Sequence, residues 1–526
     1  MTIRSGLGRR DFLRVSALAA GAAAGCASPA AGPGAPSAAA TTPPASPSAP
    51  PASPRTSAGA VRTGARTGPA RADWAALGEG LDGRLIRPGE ASYDEARRLY
   101  NPSYDGVRPG GVAYCENPGD VAECLAFARR TGAPLTSRSG GHGYAGWSTG
   151  TGLVVDVSPM SDVRATPGRA VVGAGAQLVD VYDRLAARGV SIPAGSCPTV
   201  GIAGLTLGGG LGVVARRYGL TCDVLESVRV VTADGRLLTC DARHHADLYW
   251  ASRGGGGGNF GVAVSFTFRT HRTQDVTVFS LGWPWSRAPR ALDAWQRWAP
   301  RAPDALWSNL HLGHDPVPDL RIGGLYLGSR AACERELEPL LAAVGSAPSV
   351  RSVTAMGYAD AMMTMAGCAS RTVSQCHRPG DLPGRTRDGR FPRDAFVAAS
   401  HLAYRPLTAS GVKALVEQAG RPGRHSILLD ALGGAVARVR PDATAFPHRQ
   451  ALFSAQYYAH RAGAASWLRG AHAAMEAHFG AHAYVNYIDP TLRGWRQAYY
   501  GPNAARLSKV KAAYDPDRLF DFPQAV

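Results

Sequence analysis

The run from Thr136 to Ser148, Thr-Ser-Arg-Ser-Gly-Gly-His-Gly-Tyr-Ala-Gly-Trp-Ser, brings glycine backbone, one fixed positive charge and one imidazole into a single loop. Glycine lets backbone N–H groups come close to an anion, and Arg138 adds charge. His142 follows the glycine pair and can reach whatever the loop holds. That is the chemistry of a phosphate-bearing cofactor. A second run, Ala194 to Asp223, carries Cys197-Pro-Thr-Val-Gly201 and then the glycine cluster Gly208 to Gly212. Near the C-terminus stand Tyr484-Val-Asn-Tyr487-Ile-Asp489 and Tyr499-Tyr-Gly-Pro-Asn503. A tyrosine has an ordinary pKa near 10, so to take a hydroxyl proton near neutrality Tyr487 must be helped by neighbouring charge or hydrogen bonds.

Taken singly these residues have plainer readings. His142 is then a glycine-flanked loop histidine, Cys197 a buried apolar thiol and Tyr487 a core tyrosine. Together, and in this order, the runs resemble the flavin-dependent oxidases of the berberine bridge enzyme group, in the vanillyl alcohol oxidase superfamily. The resemblance covers Val107 to Thr270 and the closing signature Tyr484 to Phe520. It implies an α+β fold, with a two-subdomain PCMH-type FAD-binding domain and a substrate domain whose antiparallel sheet is covered by helices. It implies FAD bonded twice, through His142 at the flavin 8α carbon and Cys197 at C6. It places Arg138, Ser139, Gly140, Gly141, Gly143, Thr199, Val200, Gly201, Gly204, Gly209, Gly210, Gly261, Val262 and Asn503 around the cofactor, although Asn503 also reads as a cap for the helix that follows it. Tyr487 is the implied base for a substrate alcohol whose hydride passes to the flavin, with dioxygen as the final acceptor. Tyr144 aligns with an active-site tyrosine, but the acidic neighbours of the plant members' Gly-Gly-His-Asp-Tyr-Glu-Gly are missing here. Gln456 and Tyr404 lie on expected substrate-domain strands, where they face the ring or serve as plain sheet residues.

Other readings fare worse. Gly210-Leu-Gly212-Val-Val-Ala215 matches the loose dinucleotide fingerprint, but neither the preceding strand nor the later acidic residue is evident. His244-His245 lacks a third metal ligand, so no metal is expected. Of nine cysteines none forms a Cys-x-x-Cys pair. The nearest disulfide candidates are Cys368 with Cys376 and Cys115 with Cys124.

Net charge is +17, of which Met1 to Arg71, with eight Arg and one Asp, supplies 8 − 1 = +7. The remaining positive residues are scattered rather than striped, which argues against nucleic-acid binding. Residues 1–30 read as a twin-arginine leader, with Arg9-Arg10 before a short apolar run that is too brief to remain as a transmembrane segment. Such export through the Tat machinery carries folded proteins and suits a cofactor attached inside the cell. The product is then secreted or surface-held, and Ala-Ala-Gly-Cys26 faintly resembles a lipoprotein site. Residues 31–71 are rich in Pro, Ala, Ser and Thr and read as a tether.

The elements that must position these groups follow in order. Ser92 to Tyr100 reads as helix and Val112 to Cys115 as strand. A helix opening at Asn117-Pro118 and closing at Gly132 delivers the chain to the Thr136 loop. Strands are expected at Leu153 to Val157, Ala170 to Gly173 and Val262 to Phe268, a helix at Gln177 to Arg188, and a hairpin about Ala233-Asp234-Gly235. From Gln274, alternating segments interleave with helical ones at Pro289–Trp298, Arg330–Val344, Ala409–Glu417 and Ala464–Phe479. The implied domains are 72–272 for FAD, 273–480 for a small-molecule substrate, and 481–526 returning to the FAD domain.

Overall fold

The computed structural model describes residues 68–460 and 464–526; the leader, the tether and Cys26 lie outside the described residues. The helix Pro118–Thr131 starts as its sequence dictates, with the Asn117 side chain accepting from the Gly119 and Asp120 N–H groups and Pro118 in the first turn. Gly132 ends it at φ 72°. The chain then enters strand Leu135–Arg138 at one edge of a four-stranded sheet, in the order Arg84–Ile86, Gly111–Tyr114, Leu153–Asp156, Leu135–Arg138. Its parallel register sets Arg138 opposite Asp156. A five-stranded antiparallel sheet follows, in the order Val163–Thr166, Arg169–Gly173, Val262–Arg269, Leu225–Val231, Leu237–Asp241. The hairpin closes where expected, with Gly235 at φ 86°.

The second half is a seven-stranded antiparallel sheet, ordered Val350–Met356, Val276–Gly282, Pro318–Tyr326, Leu306–His314, His425–Ala431, Phe453–His460, Phe396–Ala403. Alternation divides its faces. Phe453, Ala455, Tyr457 and Ala459 point into a core shared with the helices Ala288–Trp298, Arg330–Val344, Ala409–Ala419 and Ala464–Phe479. Tyr458, Leu428 and Ala398 pack on the opposite side, beside Tyr144 of the glycine loop. The architecture is α+β, as expected.

One expectation is corrected, and two strands were not anticipated. The helix at Ser92 to Tyr100 is only Tyr93–Ala96, because the following residues leave it to bond elsewhere: Tyr100 N–H donates to the Gly141 carbonyl at 3.1 Å and Arg393 donates to the Leu99 carbonyl at 2.8 Å. Strand Val350–Met356 is an edge strand whose alternate side chains face outward, so its apolar signal is weak. Strand Phe396–Ala403 is buried almost throughout and carries no alternation to read.

The halves are held together by buried charge and by the C-terminus. Arg216 is 1 % exposed and donates to the carbonyls of Ala302 (2.5 Å), Leu306 (2.9 Å) and Leu432. Arg449 grips Asp223 with two bonds of 2.8 Å. Tyr484 accepts from Gly210 N–H at 2.7 Å. Buried Lys511 donates to the carbonyls of Asn259 and Phe520 and pairs with Asp515. Among the described residues no helix is long and apolar enough to cross a membrane.

Candidate active site

A cavity of about 280 Å³ runs between the two expected glycine runs and the returning C-terminus. Its lining includes Arg138 to Tyr144, Val200, Gly201, Gly204, Gly261, Val262 and Tyr487, all of them anticipated. It also includes Gly256 to Asn259, Tyr499, Tyr500 and Phe522, which were not. The glycines make room in two ways. A Cβ on Gly140 would sit 2.3 Å from Gly201 N, so the two runs touch through backbone alone; a Cβ on Gly204 would meet nothing within 4 Å. The hydroxyls of Thr136 and Ser148 are buried in this lining without a protein partner. Open backbone and orphaned hydroxyls suit a long ligand rich in phosphate and hydroxyl oxygens, as FAD is.

Several expected cofactor contacts act one step behind the cavity wall. The Arg138 guanidinium turns onto Asp156 at 2.5 Å and onto the Ala96 carbonyl at 2.7 Å, so its charge is largely neutralised and it stiffens the loop. Thr199 does not line the cavity; its hydroxyl lies 2.7 Å from His142 Nε2. Gly209 and Gly210 adopt φ of 126° and 89° and meet the Tyr484 hydroxyl rather than the ligand space. Asn503 neither lines the cavity nor caps its helix, since its amide donates to the Pro441 and Thr444 carbonyls at 2.8 and 3.1 Å. Tyr404 falls just past its strand and bonds His448 Nδ1 at 2.8 Å, turned away from the cavity. Cys197 is half-buried in the segment leading to Thr199 and is not among the residues that line the cavity.

His142 stacks on Tyr100 with ring centroids 4.0 Å apart. Loss of water, and then the charge of Arg378, hold its pKa well below the usual imidazole range. The ring is therefore neutral at physiological pH.

At the sheet end of the cavity the side chains of both halves meet. Tyr144 and Tyr487 stack in parallel, 5.6 Å between centroids. Gln456 donates to the Tyr144 hydroxyl at 2.5 Å and to the Tyr458 hydroxyl at 2.7 Å, and those two hydroxyls bond each other. Burial drives the Tyr487 pKa well above the ordinary tyrosine value, and the charge of Asp430 adds to the rise. This is opposite to the shift that would make Tyr487 a base by itself. Removal from water also pushes the Asp430 carboxyl up to about 7, against a hydrogen bond from Ser454 at 3.5 Å. Asp430 and Tyr458 gave no signal in the sequence beyond ordinary strand alternation; an acidic residue amid the apolar run Ile427 to Ala431 was the one available clue.

His244 rests on Asp241 at the surface, and among the described residues no cluster of His, Cys, Asp and Glu is arranged for a metal. The short helix Ala215–Tyr218 after Gly212 follows a loop, so the dinucleotide fingerprint is not a Rossmann turn. Cys368 and Cys376 are joined, while the buried Cys115 and Cys124 sulfurs stand 3.9 Å apart as thiols.

Fold and cavity thus define a flavoprotein oxidoreductase. Residues 109–241 match the family model described as an FAD binding domain, and residues 483–526 that described as berberine and berberine like. The chain is 33% identical over 460 residues to the uncharacterized FAD-linked oxidoreductase YgaK of Bacillus subtilis, covering 85% of this chain and 97% of that one. It is 29% identical over 468 residues to a chitooligosaccharide oxidase of Gibberella zeae, covering 83% and 91%. The structure of Physcomitrella patens BBE-like 1 superposes with a TM-score of 0.79 at 28% identity, covering 86% of this chain and 98% of that one. The chain belongs to the berberine bridge enzyme-like family of FAD-linked oxidoreductases.

Proposed function

We propose that this enzyme is an exported oxidase that converts a sugar or oligosaccharide hydroxyl to a carbonyl and passes the electrons to dioxygen as hydrogen peroxide. The observation that carries the reading is the stacking of Tyr487 on Tyr144 at the sheet end of the cavity, with Gln456 on the Tyr144 hydroxyl and the Asp430 carboxyl close enough for its charge to act on both tyrosines. The bound flavin supplies the two-electron acceptor. Removal of the hydroxyl proton falls to the protein. A phenol held above its ordinary pKa does not accept a proton at neutral pH unless something takes its own. Asp430, with a pKa of about 7, is matched to that task, so Tyr487 orients the substrate hydroxyl and Asp430 receives the proton, directly or through Tyr487. Gln456 fixes the hydroxyls of Tyr144 and Tyr458 as donors along the same wall. Similarity to chitooligosaccharide, carbohydrate and xylooligosaccharide oxidases favours a sugar substrate over the other reading the sequence allows, tailoring of an antibiotic or other natural product.

The division into 72–272, 273–480 and 481–526 belongs to the same reading, with FAD in the first and last parts. We assign covalent attachment of FAD to His142 and Cys197. The neutral imidazole of His142 has Nε2 occupied by Thr199, which leaves Nδ1 for the bond. Attachment at Cys197 needs a thiolate, so it belongs to the reducing cytoplasm, before twin-arginine export. The test is acid precipitation of the purified protein with a visible spectrum, alongside peroxide release on a panel of oligosaccharides. Yellow colour should stay in the pellet until both His142 and Cys197 are replaced, and peroxide should appear with a sugar. A washable flavin removes the attachment, and oxidation only of non-sugar metabolites removes the substrate class.

A further inference from the structure

The strap from Cys368 to Asp394 lies against the FAD-binding half largely through charged groups. His377 meets Asp180 at 3.1 Å. Arg385 meets Glu95 at 3.3 Å and donates to the Glu95 carbonyl at 2.8 Å. Arg393 clasps Asp105 with both terminal nitrogens, one bond at 2.8 Å. Asp156 is already taken by Arg138. Each of these carboxylates therefore has its cation, and Arg378 is left over.

Arg378 is 7 % exposed, and a parallel bridge places it opposite Arg385. Its Nε and Nη1 find no protein acceptor, and neither does Nη1 of Arg138, itself 5 % exposed. The cations acting on Arg378 are Arg385, Arg138 and Arg393; burial and then these cations push its pKa down to about 9, against a smaller opposite pull from the Tyr114 phenol. A buried guanidinium among like charges, with open donors, lacks a counter-charge rather than merely a hydrogen-bond partner. Water would satisfy the donors but leave the charge.

We propose that Arg378 and Arg138 bind a small monovalent inorganic anion of the chloride class, at the junction of the strap and the flavin loop. One surplus cation calls for one negative charge. The neighbouring Tyr100 and Tyr114, 1 % and 4 % exposed, shut the place off from solvent, which favours a small, weakly hydrated anion. The anion would neutralise the charge that Arg378 projects onto His142 and seat the strap over the loop. The inference does not depend on the substrate or on the proton acceptor.

The test uses holoenzyme purified in gluconate buffer. Thermal unfolding is followed as chloride replaces gluconate at constant ionic strength, and crystals of the same protein are soaked in sodium bromide for anomalous diffraction. A saturable rise in Tm of roughly 3 °C is expected, absent in Arg378→Met, together with a bromide peak between the Arg378 and Arg138 guanidiniums. A Tm indifferent to the choice of anion, or bromide found only at the surface with water beside Arg378 Nε, overturns the proposal. Should Arg378→Met not fold, the bromide map of the unaltered protein decides.

Discussion

The two ends of the cavity are built from different materials. At the end lined by Gly140, Gly201 and Gly256 to Gly258, the wall is backbone held by local turns, and much of it comes from two continuous runs of sequence. At the other end the wall is side chains, Tyr144 from a loop and Tyr487 from the returning C-terminus, backed by Gln456 and Tyr458 on a strand of the distant sheet that bond the Tyr144 hydroxyl. Backbone recognises what every family member shares, the cofactor. Side chains on a sheet can change singly without disturbing it, so in the proposed function that end sets the substrate and proton chemistry.

Crowding the backbone end should be the most disruptive change, since it acts on cofactor loading and on stability together. Gly140→Ala places a methyl 2.3 Å from Gly201 N and 2.6 Å from the Thr199 carbonyl; flavin content per protein, read by absorbance, should fall at least ~10-fold, with roughly 1–3 kcal/mol of stability lost in denaturant melts. If flavin loads normally, the two runs do not need to touch. Asp430→Asn should leave flavin content intact and lower kcat/KM by about 10² to 10³. For the unaltered enzyme kcat/KM should rise with pH through about 7 as the carboxyl ionises, and this limb should vanish in the variant. The stability effect runs the other way. A carboxyl whose folded pKa lies above its unfolded one stabilises fully below the unfolded value, and that contribution is lost as pH rises through about 7, so Asp430→Asn should be the more stable protein at pH 8. An unchanged pH profile would return the role of base to Tyr487. Gln456→Leu should cost about 10-fold in kcat with no change in flavin content, because it unfastens the Tyr144 and Tyr458 hydroxyls without removing a proton acceptor. Smallest of all, Tyr404→Phe should keep activity within about 2-fold and lose about 1 kcal/mol of stability, since its hydroxyl serves only His448. A large loss of activity would put Tyr404 back in the site.

The same contrast explains what could be read beforehand. Glycine loops announce themselves because the residue type and the backbone conformation are tied, and the loop around His142 and the run after Cys197 are local in sequence. Helices with capping signals, such as Pro118–Thr131, were equally legible. Register was not. That Asp430 would face Tyr487 depends on strand His425–Ala431 pairing with both Leu306–His314 and Phe453–His460, a matter of long-range packing. Arg138 and Thr199 spend polar atoms on Asp156 and His142, and the sequence carries no sign of either pairing. Tyr404 misled for a similar reason: one residue beyond a strand end, the alternation that would aim it no longer applies.

Arg216 bears on how substrates enter. Its guanidinium belongs to the glycine-cluster half, and its carbonyl acceptors, Ala302, Leu306 and Leu432, all belong to the other. Swinging the halves apart would strand a cation in a dry seam, so the molecule has no jaw to open. Substrate must then reach the cavity between halves that stay clasped, with no closing motion to wrap around it.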